Sequence, residues 1–173
     1  MTILDLITTI QHRPDCRVLP PQGLPHIQPH HRLPDDLRLF YAACGGMHLL
    51  RETDYPLHIR APHDVVLTNT ILLKGSSEAD LVASHDDITW SWYTIADDGN
   101  GDYLSIDLSL PRLGRCYDSF WDRHGVVGSC PIIALSFTAL LQQAIHHAAH
   151  AAAPYWLRDD FLSLGDAYDE HAI

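Results

Sequence analysis

The chain has 173 residues, with 22 acidic against 11 basic side chains and a formal net charge of −11. That length suits one domain, which at about 150 residues buries roughly 70% of the surface its unfolded chain exposes. The acidity argues against binding nucleic acid or an anionic membrane, both of which demand basic side chains, and is compatible with a cationic protein partner.

Residues Ile3, Leu6, Ile7 and Ile10 recur at i, i+3, i+4 and i+7, which predicts a first amphipathic helix ended by Pro14. Asp5 interrupts its apolar stretch and no basic residue precedes it, so this start does not read as a signal peptide. No apolar run approaches the roughly 20 residues needed to span a bilayer. Without an export signal the protein is expected in the cytoplasm. Cys16, Cys44, Cys116 and Cys130, widely spaced and lacking a C-x-x-C pair, are then expected as free thiols. Residues 14–31 carry prolines at 14, 20, 21, 25 and 29 and read as an extended connector.

The sharpest helix signal runs from Leu33 to Gly46. Pro34 suits the first turn, Asp35 and Asp36 sit at the positive end of the helix dipole, and Gly45-Gly46 offers a left-handed stop. Leu33, Leu37, Phe40, Tyr41 and Cys44 form its apolar face. Met47 to Arg60 is consistent with one or two short strands, Ala61 to Leu67 with a second helix start, and Gly75 to Asp87 with a loop. A hairpin is expected next: Trp90 to Ala96, a turn at Asp97-Asp-Gly-Asn-Gly-Asp102, then Tyr103 to Leu108. Alternation predicts a buried face of Leu104, Ile106 and Leu108 and a wet face of Tyr103, Ser105 and Asp107. A further strand is expected at Gly114 to Tyr117, followed by an irregular stretch around Trp121 to Cys130. Ser136 is a plausible N-cap for a last helix reaching His150, with Phe137, Leu140, Leu141, Ala144, Ile145 and Ala148 on its core stripe. Residues 154–173 form an acidic extension, a short helix or a tail. No repeat and no second domain are visible within residues 1–173.

Three segments in this order resemble the SUKH superfamily, the yeast cell-wall-assembly regulators and their bacterial relatives. They are Leu33-Pro34-Asp35-Asp36-Leu37 with Phe40 and Gly45-Gly46; Ile95 to Asp102 running into Leu104-Ser105-Ile106-Asp107; and Ile133-Ala134-Leu135-Ser136-Phe137 leading into Leu140-Leu141. The resemblance covers roughly residues 33–145. One departure is Cys44, where the family pattern usually carries Asn. The resemblance implies an α+β fold with a mainly antiparallel β-sheet flanked by N- and C-terminal helices. It also implies an immunity protein, which binds and neutralises a cognate polymorphic or contact-dependent toxin, often a basic nuclease. A regulatory adaptor binding a housekeeping protein is the alternative, and a metal-dependent hydrolase a weaker one.

The remaining motifs point away from catalysis. Counted from Asp98, the acidic turn puts Tyr103 where an EF-hand needs glycine, and no glutamate closes the loop. A plain hairpin turn is the better reading. His146 and His150 have a zinc-compatible i, i+4 spacing, but no H-E-x-x-H pattern accompanies them and they lie opposite the apolar stripe. There is no G-x-S-x-G elbow, no P-loop and no dinucleotide fingerprint. Neither a cofactor nor a catalytic residue is expected. The expected partner face combines acids with aromatic anchors: Asp97, Asp98, Asp102, Tyr103, Asp107, Trp92 and Asp118.

Overall fold

The structure is a computed structural model that describes residues 1–76, 86–146 and 154–169. Helix α1 (Ile3–Gln11) buries Ile3, Leu6, Ile7 and Ile10, the stripe read from the sequence. Thr2 and Asp5 close its start as a capping box. The Asp5 amide donates to Thr2 Oγ1 at 3.2 Å and the Thr2 amide to Asp5 Oδ2 at 2.9 Å, satisfying two otherwise orphaned donors.

Helix α2 (Asp35–Ala43) buries Leu37, Phe40 and Tyr41, and Pro34 stands at its N-cap, just outside the expected first turn. Its stop differs from the expectation. Cys44 is extended, with φ −151°, and donates its amide to the Phe40 carbonyl, so no left-handed residue caps the helix directly. The glycine pair answers a packing demand instead. A Cβ on Gly45 would collide with the Pro20 carbonyl oxygen, and one on Gly46 would come within 2.7 Å of the Ile59 carbonyl oxygen. Gly46 also holds φ +114°, which side-chain-bearing residues avoid.

Seven strands follow: β1 (Arg17–Val18), β2 (Met47–Leu49), β3 (Leu57–Ile59), β4 (Trp92–Asp97), β5 (Tyr103–Asp107), β6 (Cys116–Ser119) and β7 (Ile132–Ala134). They pair strictly in sequence order and every pair is antiparallel. Two of them were not anticipated: β1 lies inside the proline-rich connector, and β7 is only three residues long. The helix start expected at Ala61–Leu67 is a single 3-10 turn, Pro62–Asp64, and helix α3 begins later as Thr68–Leu72. Most of the loop expected from Gly75 to Asp87 lies outside the described residues, as does the last helix beyond His146.

Helix α4 (Phe137–His146) buries Phe137, Leu140, Leu141 and Ala144, and Ser136 Oγ accepts the Ala139 amide at 3.1 Å, as an N-cap should. Helices α1, α2 and α4 pack on one another over one face of the sheet. One acid joins two helix starts: Asp36 Oδ1 accepts the Leu37 amide at 2.8 Å, and its Oδ2 accepts the Thr138 amide and hydroxyl at 2.8 and 3.0 Å. Both helix dipoles therefore end on the same carboxylate.

The wet face expected on β5 is a second buried face. Leu104, Ile106 and Leu108 join the main core as read, but Ser105 and Asp107 on the opposite side are also 0% exposed. Helix α3 and the 3-10 turn Ile88–Ser91 cover that side, together with a smaller core of Trp92, Tyr117, Cys130, Ile132 and Ala167. The C-terminal extension contributes by lying along residues 130–132, where the Ala167 amide donates to the Cys130 carbonyl at 2.8 Å and the Ile132 amide to the Gly165 carbonyl at 2.9 Å.

The centre of this face is the carboxylate of Asp107. Oδ1 accepts from Ser91 Oγ at 2.9 Å and the Ser109 amide at 2.7 Å, while Oδ2 accepts from Trp92 Nε1 at 3.1 Å and Arg112 Nε at 2.8 Å. Removing one member of a buried, fully bonded ion pair costs about 3–5 kcal/mol, because the surviving charge and donors stay dry and unpaired. Asp107→Ala should lower the urea-unfolding free energy by that amount and lower the midpoint, whereas Asp98→Ala at the far end of the hairpin should change it by less than about 1.5 kcal/mol.

Candidate partner-binding site

The β4–β5 turn is built by its own acids. Asp98 Oδ1 accepts the amides of Asn100 and Asp102 at 2.8 and 3.2 Å. Asp97 Oδ1 accepts the Gly99 amide at 3.1 Å and its Oδ2 accepts Arg60 Nη1 at 2.9 Å. Gly99 and Gly101 hold φ of +82° and +105°, the left-handed conformations such a turn needs. This is a hairpin turn, as read, whose carboxylates fold back on their own backbone.

Behind the turn lies a pocket of about 260 Å³, closed on its other sides by the β2–β3 connection and the 3-10 turn Tyr155–Leu157. Leu57, Leu104, Phe120, Tyr155 and Trp156 give it apolar walls. Asp54, Asp97, Asp98 and Asp102 also line it, and no basic side chain does among the described residues. Asp97 already has a cation in Arg60, with His58 Nδ1 at 3.3 Å on its other oxygen. Asp102 has none. Burial, and then the neighbouring Asp98 and Asp122, push its carboxyl above the ordinary aspartate range, against the opposing pull of the Trp121 amide and Arg123.

The expected site residues divide in two. Asp97, Asp98 and Asp102 meet at the pocket, and Tyr103 stands beside them on the opposite face of β5 with the Arg60 guanidinium 5.3 Å from its ring centroid. Trp92, Asp107 and Asp118 are instead 0% exposed, so as the chain is folded they present nothing to a partner. Trp92 is a core residue stacked on Tyr117 at 4.1 Å. Asp118 repeats the solution found at Asp107: it accepts the amide two residues on (Phe120, 3.1 Å) and the guanidinium five residues on (Arg123, 2.7 Å). An arginine five positions after an acid at or next to the end of a strand was therefore a readable sign of burial. The most exposed aromatic of this region among the described residues is Trp121, 78% accessible and directly after the pocket residue Phe120, with Tyr55 of the pocket lining exposed to 41%.

Residues 30–143 match the SMI1 / KNR4 family (SUKH-1). The chain belongs to that family. It is also 45% identical to Immunity protein YokJ of Bacillus subtilis (strain 168) over 169 residues, 98% of this chain and 97% of the relative. No solved structure gives a significant match. The SUKH resemblance read over residues 33–145, and the α+β architecture it implied, are borne out.

A second polar cluster resembles a catalytic relay and was not foreseen. His124 Nε2 donates to Asn69 Oδ1 at 2.6 Å, and its Nδ1 lies 3.2 Å from Ser119 Oγ. Asn69 Nδ2 donates to Thr89 Oγ1 at 3.0 Å, Thr89 Oγ1 to Asp87 Oδ1 at 2.6 Å, and Tyr168 Oη to the same carboxylate at 3.0 Å. Ser119 is 0% and Asn69 1% exposed, so no substrate reaches the serine. The chain of bonds ties α3, the Ile88–Ser91 turn, the end of β6 and the C-terminal extension together. Elsewhere, no group of three or more His, Cys, Asp or Glu among the described residues is placed to hold a metal ion. His146 is exposed, and its i+4 partner His150 lies outside the described residues. No described helix is long and apolar enough to cross a membrane.

Burial holds His124 neutral, pulling its pKa from 6.5 down to about 4. In the unfolded chain the imidazole takes up a proton near its ordinary value, so the contribution of neutral His124 to stability is complete above pH 6.5 and drains away as pH falls towards 4. Urea unfolding across that interval should show wild type losing up to about 3 kcal/mol through this group. A His124→Gln chain should lack that component of the pH dependence.

Proposed function

We propose that this protein is an immunity protein that masks a toxin protein by binding it, performs no catalysis of its own, and works in the cytoplasm. The observation that carries the reading is the near-full-length identity to Immunity protein YokJ. The shape of the hairpin end supports it. Asp98 and Asp102 have no cationic partner among the described residues, and they stand near an exposed tryptophan in a chain of net charge −11. Interfaces of this kind use an aromatic anchor for affinity and flanking charge for speed and selectivity.

On this reading the partner surface runs over the β4–β5 turn. Asp98 and Asp102 supply the attracting charge. Asp97 and Tyr103 act as its support, since Arg60 already engages both. Trp121 replaces Trp92 as the aromatic anchor. The toxin is a basic domain, and a nuclease fits because an enzyme that holds phosphate carries the cationic surface this acidity complements. A soluble acidic mimic of that sort needs no active site. It needs only to occupy the basic surface and stay there.

The test pairs the chain with basic toxin domains from its own genome in a growth assay, followed by binding kinetics with the domain it protects against. Wild type should restore growth and form an equimolar complex. Asp102→Lys should slow association by about tenfold or more at low ionic strength and flatten its salt dependence. Trp121→Ala should mainly speed dissociation, by about tenfold or more. Failure to protect against any such domain, with weak binding to several housekeeping proteins instead, would replace the immunity reading with the adaptor one.

A further inference from the structure

We propose that the pocket behind the β4–β5 turn receives a single arginine side chain of the partner, the apolar walls holding its stem and the carboxylates of Asp54, Asp98 and Asp102 its guanidinium. The proposal rests on the immunity reading for the identity of the partner, but not for the chemistry of the pocket. At about 260 Å³ the space falls below the roughly 300–1,000 Å³ of sites that take cofactors or drug-sized ligands. It has the scale of one side chain.

The lining pairs two features, apolar surface and acids mostly without a salt bridge among the described residues. Leu57, Leu104, Phe120 and Trp156 offer apolar surface, while the acids beside them gather negative charge. Of the four lining acids only Asp97 is paired with a cation of the described residues. Like-charge crowding of Asp102 by Asp98 and Asp122 adds to the cost of keeping the pocket free. Trp156 forms part of the wall and is 7% exposed, yet its indole N–H has no acceptor among the described residues. A carbonyl oxygen arriving with the guest could serve it after a small adjustment.

Those demands together describe arginine. Its aliphatic stem packs on apolar surface while the head remains polar. Its planar guanidinium stacks on aromatic faces and presents donors to more than one carboxylate, which an ammonium does less well. Self-association through the pocket is opposed by charge, because a second copy brings another −11. A small divalent cation is disfavoured as well, since the walls are mainly carbon and no metal-holding group occurs among the described residues.

The experiment titrates the full ¹⁵N-labelled chain with the blocked tripeptide acetyl-Leu-Arg-Leu-amide, and with the same peptide carrying citrulline or lysine in place of arginine. The arginine peptide should give saturable amide shifts centred on Leu57, Leu104 and Trp156, with citrulline binding about tenfold more weakly or worse. Asp102→Asn should weaken the arginine peptide about fivefold, with Asp54→Asn as the second variant should the first misfold. No saturable shift, equal binding of citrulline, or shifts centred elsewhere would overturn the proposal, and equal binding of lysine would overturn the guanidinium assignment. Because the growth assay is independent, a chain that protects cells but ignores the arginine peptide loses the pocket and keeps immunity. A chain that binds the peptide and protects against no toxin does the reverse.

Discussion

A carboxylate buried in the middle of a β-sheet is the constraint around which this fold is arranged. Taking Asp107 out of water is tolerable only if each of its oxygens is fully bonded. It meets that demand with four donors drawn from the turn before β4, from β4 itself, and from the turn after β5. The backbone of the same residue closes the β5–β6 connection, accepting from the Gly114 amide and donating to the Arg115 carbonyl, each at 2.9 Å. Asp118 solves the same problem at the next turn with the same two offsets. Because both acids are neutralised on the spot, the second face of the sheet can be covered by α3 and the C-terminal extension without leaving a charge stranded.

This internal pairing decides where the net charge of the protein is felt. Arg112 and Arg123 answer buried acids, and Arg60 answers Asp97. Arg13, Arg38 and Arg158 are paired with acids two or three residues away on the surface, where such pairs contribute little to stability but cancel the local field. At least six of the eleven basic side chains are thus engaged with acids of the same chain. Among the described residues, Asp54, Asp98 and Asp102 around one pocket form no salt bridge. A modest excess of acids becomes a directed field because its counter-charges are placed elsewhere.

The parts of the fold that were legible in the sequence are those set by local periodicity. The stripe of α1, the face of α2, the core face of α4 and the β4–β5 hairpin all follow from spacing alone. The illegible parts depend on what comes from far away in the chain. Strands β1 and β7 are two and three residues long and exist because a neighbour offers hydrogen bonds. Alternation on β5 separated its two sides correctly, but it could not reveal that α3 and residues 164–168 would roof the polar one. The same gap divided the candidate site. Asp98 and Asp107 look alike in sequence, and the arginine five positions beyond Asp107 marks the acid that is buried in an ion pair, whereas Asp98 bonds only its own turn.

On the proposed partner surface, that distinction separates positions that can change without refolding from positions that cannot. The structural acids sit in closed networks, so any change there leaves a buried donor or charge unanswered. Asp102 has no salt bridge to lose among the described residues, and the exposed indole of Trp121 contributes little to either core. Substitutions at these positions alter the charge and shape of the hairpin end at little cost to the fold. The pocket walls are more restricted, because Leu57, Leu104 and Trp156 belong to the main core as well as to the cavity. Given the proposed anchor, a division follows: the charged rim tolerates substitution, while the apolar interior of the pocket does not, because it is also core. The anchor side chain is then the constant element of recognition and the surrounding charges the variable one.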